Sequence, residues 1–456
     1  MSINLTPRWD NYAVLLPAIQ SWYSTMVHNN KHLDKERPFP EGINLKDLDY
    51  LNPKSKLWHY GYGLYSAGLF ASDSPRACSV SNRDRSVTTI LGDSGGYQIG
   101  IGTFPGTQHI KKVKTADGVV NAWADCGDVR ERVVNWLESN SDYAMTIDMP
   151  LWARYSPQST SPFKICSVEQ LIEMSVDNLN YIQRNKRGRT KWLNVLQGFN
   201  EKDSKQWWDA VKKYRFDGWA LAGSVGWSGG LDSVLHNVLM MRDDGAFEAG
   251  QDWLHVLGVT QPTWAVLFSA IQMQLRKRNP KLRISYDSSS PFQAVGKYSN
   301  TVRYPKFGTD LNSWVMSACE LPTNPIYAKT NGKYRFPHPS PLGELLTLDH
   351  LSVNGGKYQK MPTDSVTPLL LINHTLYVYI RAFLEANDLA FMHRNDAQKC
   401  VPSSLLDVIE FIEEVFATSN WQRKLASNKK MLADVFKKLA TKEKIAVVKG
   451  YEALLR

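Results

Sequence analysis

The chain has 456 residues, 43% of them apolar, which suits one large folded body with an appendage and excludes a disordered chain. No run approaches the roughly 18 apolar residues of a membrane span, and Met1-Ser2-Ile3-Asn4-Leu5 has no charged and then apolar leader, so a cytoplasmic protein with no membrane partner is expected. A formal net charge of +10 favours a polyanionic partner, although solubility alone also accounts for a basic excess of this size.

Short apolar runs recur along the chain, each stopping at a polar or glycine-rich turn. The first is Ala13-Val14-Leu15-Leu16, and a second, blurred by glycine, lies at Tyr60 to Tyr65. Val87 to Leu91 leads to Asp93, and Tyr143 to Ile147 leads to Asp148. Leu193 to Leu196 precedes Gln197-Gly198, Trp219 to Ala222 precedes Gly223, Leu254 to Leu257 precedes Gly258, and Arg283 to Tyr286 precedes Asp287. Amphipathic stretches at Val168 to Arg184, Asp203 to Tyr214 and Ser228 to Met241 fall between them.

Strands alternating with helices predict an α/β fold, a (β/α)8 barrel of the TIM type with insertions, spanning residues 1–315. Residues 316–456, with the Gly/Pro-rich connector Pro337 to Lys360, are expected to form an insert and a helical C-terminal subdomain. Loops after barrel strands gather at one face, so Asp93, Asp148, Gln197, Gly223, Gly258 and Asp287 should converge.

That set has a chemical logic. In Asp93-Ser94-Gly95-Gly96-Tyr97-Gln98 a carboxylate sits at a strand's mouth, two glycines let the backbone approach a flat ligand, and Tyr97 and Gln98 offer a ring face and a paired donor and acceptor. Clustered carboxylates suit glycosidic bond cleavage, one attacking or stabilising the anomeric carbon and another managing the leaving group's proton. Clustering also pushes their pKa values up. Each Asp taken singly can equally cap the helix that follows its strand.

The same residues, in the same order, resemble the tRNA-guanine transglycosylase superfamily, whose members exchange guanine for a 7-deazaguanine in a polynucleotide. Asp93 to Gln98 resembles the family's Asp-Ser-Gly-Gly-(Phe/Tyr)-Gln signature, and Asp148 with Pro150 its second aspartate motif. Gln197-Gly198 is similar to its Gln-Gly turn, Ala220 to Gly226 to its glycine-rich strand end, and Leu257-Gly258-Val259 to the next. Asp287 and Pro291 keep the spacing of the nucleophile motif. The resemblance implies that Asp287 attacks C1′ to form a covalent intermediate while Asp93 acts as general acid and base. It further implies that Ser94, Asp148, Gln197 and the Gly223 backbone bind the base, with Tyr97 and Leu257 against its faces. The substrates implied are a polynucleotide and a free 7-deazaguanine base such as preQ0.

Departures from the family pattern are equally informative. The Thr-Arg and further basic residues that usually follow the proline are replaced by Phe292-Gln293-Ala294-Val295-Gly296-Lys297, so the tRNA grip is rebuilt, and Lys297 is an expected nucleic-acid contact. The zinc motif is similar to Cys319-Glu320-Leu321-Pro322-Thr323-Asn324, with Leu321 and Asn324 at two ligand positions, and Asn373-His374 resembles the segment of the fourth ligand. Cys319 and His374 alone cannot close a tetrahedral site without recruits such as Cys400 or His393, so no zinc and no other cofactor is expected. These departures point to the branch of the superfamily that modifies DNA, known from bacterial modification islands and phages.

Five scattered cysteines with no Cys-x-x-Cys pair indicate reduced thiols, and most of the fifteen tryptophans are expected in cores. Among basic clusters, Arg184 to Arg189 and Arg276 to Lys281 fall just before strands, on the barrel face opposite the site, where they complement helix C-termini. Lys111, Lys112 and Lys114 follow Asp93 on the catalytic face and are the expected nucleic-acid contacts. The lysine-rich tail from Arg423 to Lys449 is either a backbone clamp or a solvated helix face.

The expectation is thus a DNA-guanine transglycosylase, with DNA as partner and a homodimer left open. The alternatives are a tRNA-guanine transglycosylase of the queuosine or archaeosine type, a non-catalytic nucleic-acid-binding subunit of such an enzyme, and a plain glycoside hydrolase on the same barrel.

Overall fold

The structure is a computed structural model and describes residues 2–29, 39–69, 77–223, 230–248, 250–259, 261–293, 301–320, 335–351 and 365–440. Eight parallel strands form one sheet: β1 (Val14–Pro17), β2 (Tyr62–Ser66), β3 (Thr89–Asp93), β4 (Tyr143–Met145), β5 (Lys191–Gln197), β6 (Gly218–Ala222), β7 (Trp253–Val256) and β8 (Arg283–Ser288). From β2 to β8 each strand pairs with the next, and β8 pairs with β1. A parallel bridge between Ala18 and Leu64, with Ile19 N–H donating to the Leu64 carbonyl at 2.9 Å, brings β1 back to β2. The sheet is therefore a (β/α)8 barrel of the TIM type.

The strands form where the apolar runs lie because each is covered on both faces. Every residue of β1, β2 and β7 is buried, and so is every residue of β5 after Lys191. Some of the helices between them start at side-chain caps. Ser167 accepts from Gln170 N–H and Gln170 returns to Ser167 N–H, opening Val168–Asn185, whose Leu171, Ile172, Leu179 and Ile182 are buried. Asn200 caps Glu201–Val211 in the same manner, its Oδ1 accepting from Asp203 N–H at 2.9 Å.

Beyond the barrel, an antiparallel hairpin of Thr301–Lys306 and Val315–Glu320 straddles residue 315, followed by the 25-residue helix Val366–Ala390. That helix is rooted in the barrel's flank. Asn373 accepts from Trp58 Nε1 at 3.1 Å and donates to the Leu48 carbonyl at 3.2 Å, and Phe383 stacks on Tyr286 of β8. Burying an asparagine is tolerable only with such partners, so this pair of bonds fixes the helix's register against the barrel. The helices Ser403–Ala417 and Trp421–Ala440 complete this part. In the latter, Trp421, Leu425, Leu432 and Val435 are buried, and Trp421 Nε1 donates to Asp243 at 2.7 Å. Lys429 sits within ion-pair reach of Asp232 and Glu201, and Lys442, Lys444 and Lys449 lie outside the described residues.

None of the five cysteines is bridged, and among the described residues Trp22 is the one exposed tryptophan. The clusters at Arg184 to Arg189 and Arg276 to Lys281 occupy the turns from helix to strand, away from the strand ends that carry the aspartates. Several of these cations are already engaged: Arg276 donates to the Leu282 and Asp10 carbonyls, Lys277 pairs with Glu413, and Arg187 bonds Asn135. No described helix is long and apolar enough to cross a membrane.

Candidate active site

At the C-terminal mouth of the barrel a pocket of about 400 Å³ opens between the strand ends. Asp93, Gly96, Tyr97, Asp148, Pro150, Trp152, Gln197, Phe199, Ala222, Gly223, Leu257 and Gly258 line it, drawn from the loops after β3 to β7. Asp287 borders it from β8, where its Oδ1 accepts from Gly258 N–H at 2.8 Å.

Asp93 ends β3 in register with Ser66, the last residue of β2. Burial pushes its carboxyl above the usual range. Hydrogen bonds from Ser66 and from Gly95 N–H oppose the rise, and the charge of Asp287 adds to it. The two glycines that follow have different duties. Gly95 is left-handed (φ +83°), and a Cβ there would lie 2.8 Å from the backbone of Gly68, so the turn admits no side chain. Gly96 opens the short helix Gly96–Gly100, and a Cβ on it would meet nothing closer than Asp148 Oδ1 at 3.6 Å. Its missing side chain is space in the pocket.

Asp148 follows β4. Burial pushes its carboxyl up to about 7, the neighbouring charge of Asp93 adding to the effect and hydrogen bonds from the backbone and from Gln197 opposing it. Gln197, the last residue of β5, donates from Nε2 to Asp148 Oδ2 and to the Met149 carbonyl, while its Oε1 accepts from Leu151 N–H at 3.0 Å. Its amide is thus spent on aiming the Asp148 loop. Ser94 is buried behind the wall, with an Oγ that has no hydrogen-bond partner among the described residues.

Aromatic rings form the outer wall. Tyr97, 61% exposed, stacks one face on Trp152 at 5.5 Å, so the opposite face alone is open to a ligand. Phe199 stacks on Tyr155 at 4.9 Å. Leu257 and Gly258 lie across from them, after β7. Gly258 is left-handed (φ +78°), and that conformation turns its N–H toward Asp287. Gly223 shares the left-handed conformation at the pocket wall (φ +83°).

The site residues read from the sequence therefore gather at one mouth, except Ser94, which lies behind it. Lys111, Lys112 and Lys114 are exposed and make no ion pair among the described residues, the first two on the 3-10 turn Gln108–Lys112. The stem of Lys111 packs on Gly102, just past the helix that carries Tyr97. Lys297 lies outside the described residues, as do Leu321 and Asn324. His374 is buried, its Nδ1 2.7 Å from Ser340 Oγ and its Nε2 3.0 Å from the Pro337 carbonyl, so both nitrogens are already bonded. Burial holds its pKa down to about 3, which keeps it neutral. Cys319 is buried in the hairpin. Among the described residues no group of three or more His, Cys, Asp or Glu is placed to hold a metal ion.

No motif in the sequence marks Trp152 or Phe199 as wall residues, separates Gly96 from Gly95, or points to His255 and Ser285. The last two lie inside apolar strands, where period alone does not separate a buried polar pair from the core.

No model of a known protein family matches the chain, and no curated protein matches it.

Proposed function

We propose that this protein exchanges guanine in DNA for a 7-deazaguanine base through a covalent aspartyl-glycosyl intermediate. The observation that carries the reading is the meeting, around one pocket of about 400 Å³, of a half-buried Asp93 held above the usual carboxylate range and an Asp287 whose Oδ1 is tethered by a backbone N–H.

In the first half-reaction Asp287 supplies an electron pair to C1′, the C1′–N9 bond breaks with its pair passing to guanine, and Asp93 gives its proton to the departing base. In the second half the incoming base returns a proton to Asp93, its nitrogen attacks C1′, and Asp287 leaves as carboxylate. A carboxyl raised above its usual range suits an exchange that asks Asp93 to give up a proton in the first half and take one back in the second. Asp148 and the Gly223 backbone face the base edge, Gln197 aims Asp148, and Tyr97 and Leu257 flank the ring. A guanine edge presents N–H donors to the Asp148 carboxylate. Adenine leaves that acceptor unpaired, which gives strong rejection. Because the carboxylates lie inside a pocket that a stacked duplex cannot enter, a paired guanine must be flipped out, at a cost of a few kcal/mol.

DNA is favoured over tRNA by the residues after Pro291. Phe292 is buried with its ring 5.2 Å from Tyr23, and Gln293 bonds Ser289, so these positions offer core and local contacts where tRNA-modifying members of the superfamily the chain resembles present basic residues. The test is incorporation of radiolabelled guanine by the purified protein, offered duplex DNA and tRNA side by side. Label in DNA that Asp287→Ala abolishes supports the reading, and label in tRNA alone moves the protein to the tRNA branch. No label in either refutes it.

A further inference from the structure

Behind Asp287 lies a row of buried groups that the base exchange leaves unused. β7 and β8 pair with His255 directly beside Ser285, and since residues two apart on a strand share a face, Trp253 and Asp287 flank that pair on the same side. His255 and Ser285 are fully buried. Trp253 Nε1 lies 2.7 Å from Ser285 Oγ, Ser285 Oγ lies 2.9 Å from His255 Nδ1, and His255 Nε2 lies 3.5 Å from Asp287 Oδ1.

Donor accounting sets the direction of this row. An indole N–H can only donate, so Ser285 Oγ accepts from Trp253, and its own O–H, which meets no other acceptor among the described residues, goes to His255 Nδ1. His255 then carries its proton on Nε2. That nitrogen is buried with no other hydrogen-bond partner among the described residues, and it faces Asp287 Oδ1. The same oxygen already takes the Gly258 N–H. Two donors therefore converge on Oδ1, and none that the structure describes reaches Oδ2.

We propose that His255 is the positioning residue of Asp287: its Nε2–H, fixed by Ser285 and Trp253, acts with the Gly258 N–H to hold Oδ1 and leave Oδ2 to attack C1′. At 3.5 Å the His255 contact is long for a hydrogen bond, and it shortens as the carboxylate settles for attack. In the glycosyl-enzyme, Oδ2 is esterified and Oδ1 is the ester carbonyl. When the incoming base displaces the ester, the electron pair returns to the carboxylate and both donors stabilise it as leaving group. The inference rests on the base-exchange reading for its kinetic consequence. Its geometric content, the tautomer and its partner, does not.

The tests separate the two. Nitrogen-15 NMR of histidine-labelled protein identifies the His255 tautomer without any substrate, and an Nε2–H form whose signal shifts in Asp287→Asn is expected. An Nδ1–H form, or a signal indifferent to Asp287→Asn, overturns the proposal whatever the activity. For the kinetic part, His255→Leu should lower kcat for exchange about ten- to a hundredfold, as expected for loss of a hydrogen bond to a charged group, with KM for the free base unchanged. His255→Gln, which keeps a donor at similar reach, should recover part of that loss, and this comparison holds even where the leucine variant folds poorly. A glutamine variant no faster than a folded leucine variant, or a leucine variant with wild-type kcat, overturns it. If the wild-type protein exchanges no base at all, the functional reading fails while the tautomer result still stands.

Discussion

Replacing Asp148 by Asn should make the protein more stable and less active, and the gain in stability should depend on pH. Burial, with the charge of Asp93 added, holds the Asp148 carboxyl at about 7 against an ordinary value of 3.8. At 1.36 kcal/mol per tenfold change this corresponds to about 4 kcal/mol, an upper limit because one edge of the carboxylate opens on the pocket. The sign follows from proton counting. Between pH 3.8 and about 7 the folded chain keeps a proton that the unfolded chain has released, so stability from this group is full below 3.8 and falls through the window. Above about 7 the penalty is constant. Asparagine has no proton to lose, is nearly isosteric, and still offers Gln197 an oxygen in place of Oδ2. Urea denaturation at about pH 4.5 and about pH 8 should therefore find the variant close to wild type in acid and about 2–4 kcal/mol more stable in base. A stability gap that does not grow with pH, or a variant less stable than wild type at the higher pH, refutes the reasoning. In the functional reading the ionised carboxylate also receives the base's N–H donors, so the wild-type KM for guanine should fall as pH rises through about 7, and the variant should lose that dependence.

Trp152→Ala removes the support of Tyr97's stacked ring and should raise KM for the base about fivefold to a hundredfold in steady-state exchange, from a stacking contribution of about 1–3 kcal/mol, with a melting curve as control. Gly95→Ala and Gly96→Ala should part company. The first forces a left-handed alanine into the Gly68 backbone and should cost at least about 1–2 kcal/mol in a thermal melt, whereas the second should fold within about 1 kcal/mol of wild type yet raise KM for the base. Changing Lys111, Lys112 and Lys114 together to Ala should weaken polynucleotide binding and reduce the slope of log affinity against log salt by roughly three, leaving kcat at saturation unchanged.

The barrel was legible because its strands are buried on both faces and so read as unbroken apolar runs closed by polar turns. Val14, Leu193 and Leu254 mark strands that the structure contains within a residue or two of where the runs place them. The glycine-rich β2 was the faintest of them, since Gly61 and Gly63 interrupt the pattern where a side chain would strike neighbouring atoms, Val87's carbonyl in one case and Tyr50 and Ile19 in the other. Asp93, Asp148 and Gln197 could be placed at one mouth because the fold makes strand ends converge. Trp152 could not, since it enters the pocket from a short helix after a loop, and no period places it there. The two glycines of the hexapeptide looked alike in sequence, and only the surroundings separate them: one is excluded from bearing a side chain by Gly68, the other stands beside open space.

The same contrast explains how the site is held and what it costs. Three aspartates at strand ends repel one another, and two are pushed above the ordinary range. Such a cluster persists only because rigid elements fix it: Ser66 and Gly95 hold Asp93, Gln197 holds Asp148, and Gly258 holds Asp287. Each holding group comes from a neighbouring strand end or from the turn beside it, so none can move without shifting a ladder of the barrel. The preorganisation that the proposed base exchange would require and the strain that charge clustering imposes thus share one origin, the parallel register that sets Ser66 beside Asp93 and His255 beside Ser285. A substitution that relieves the repulsion while keeping the register, as Asp148→Asn does, should raise stability and lower activity together.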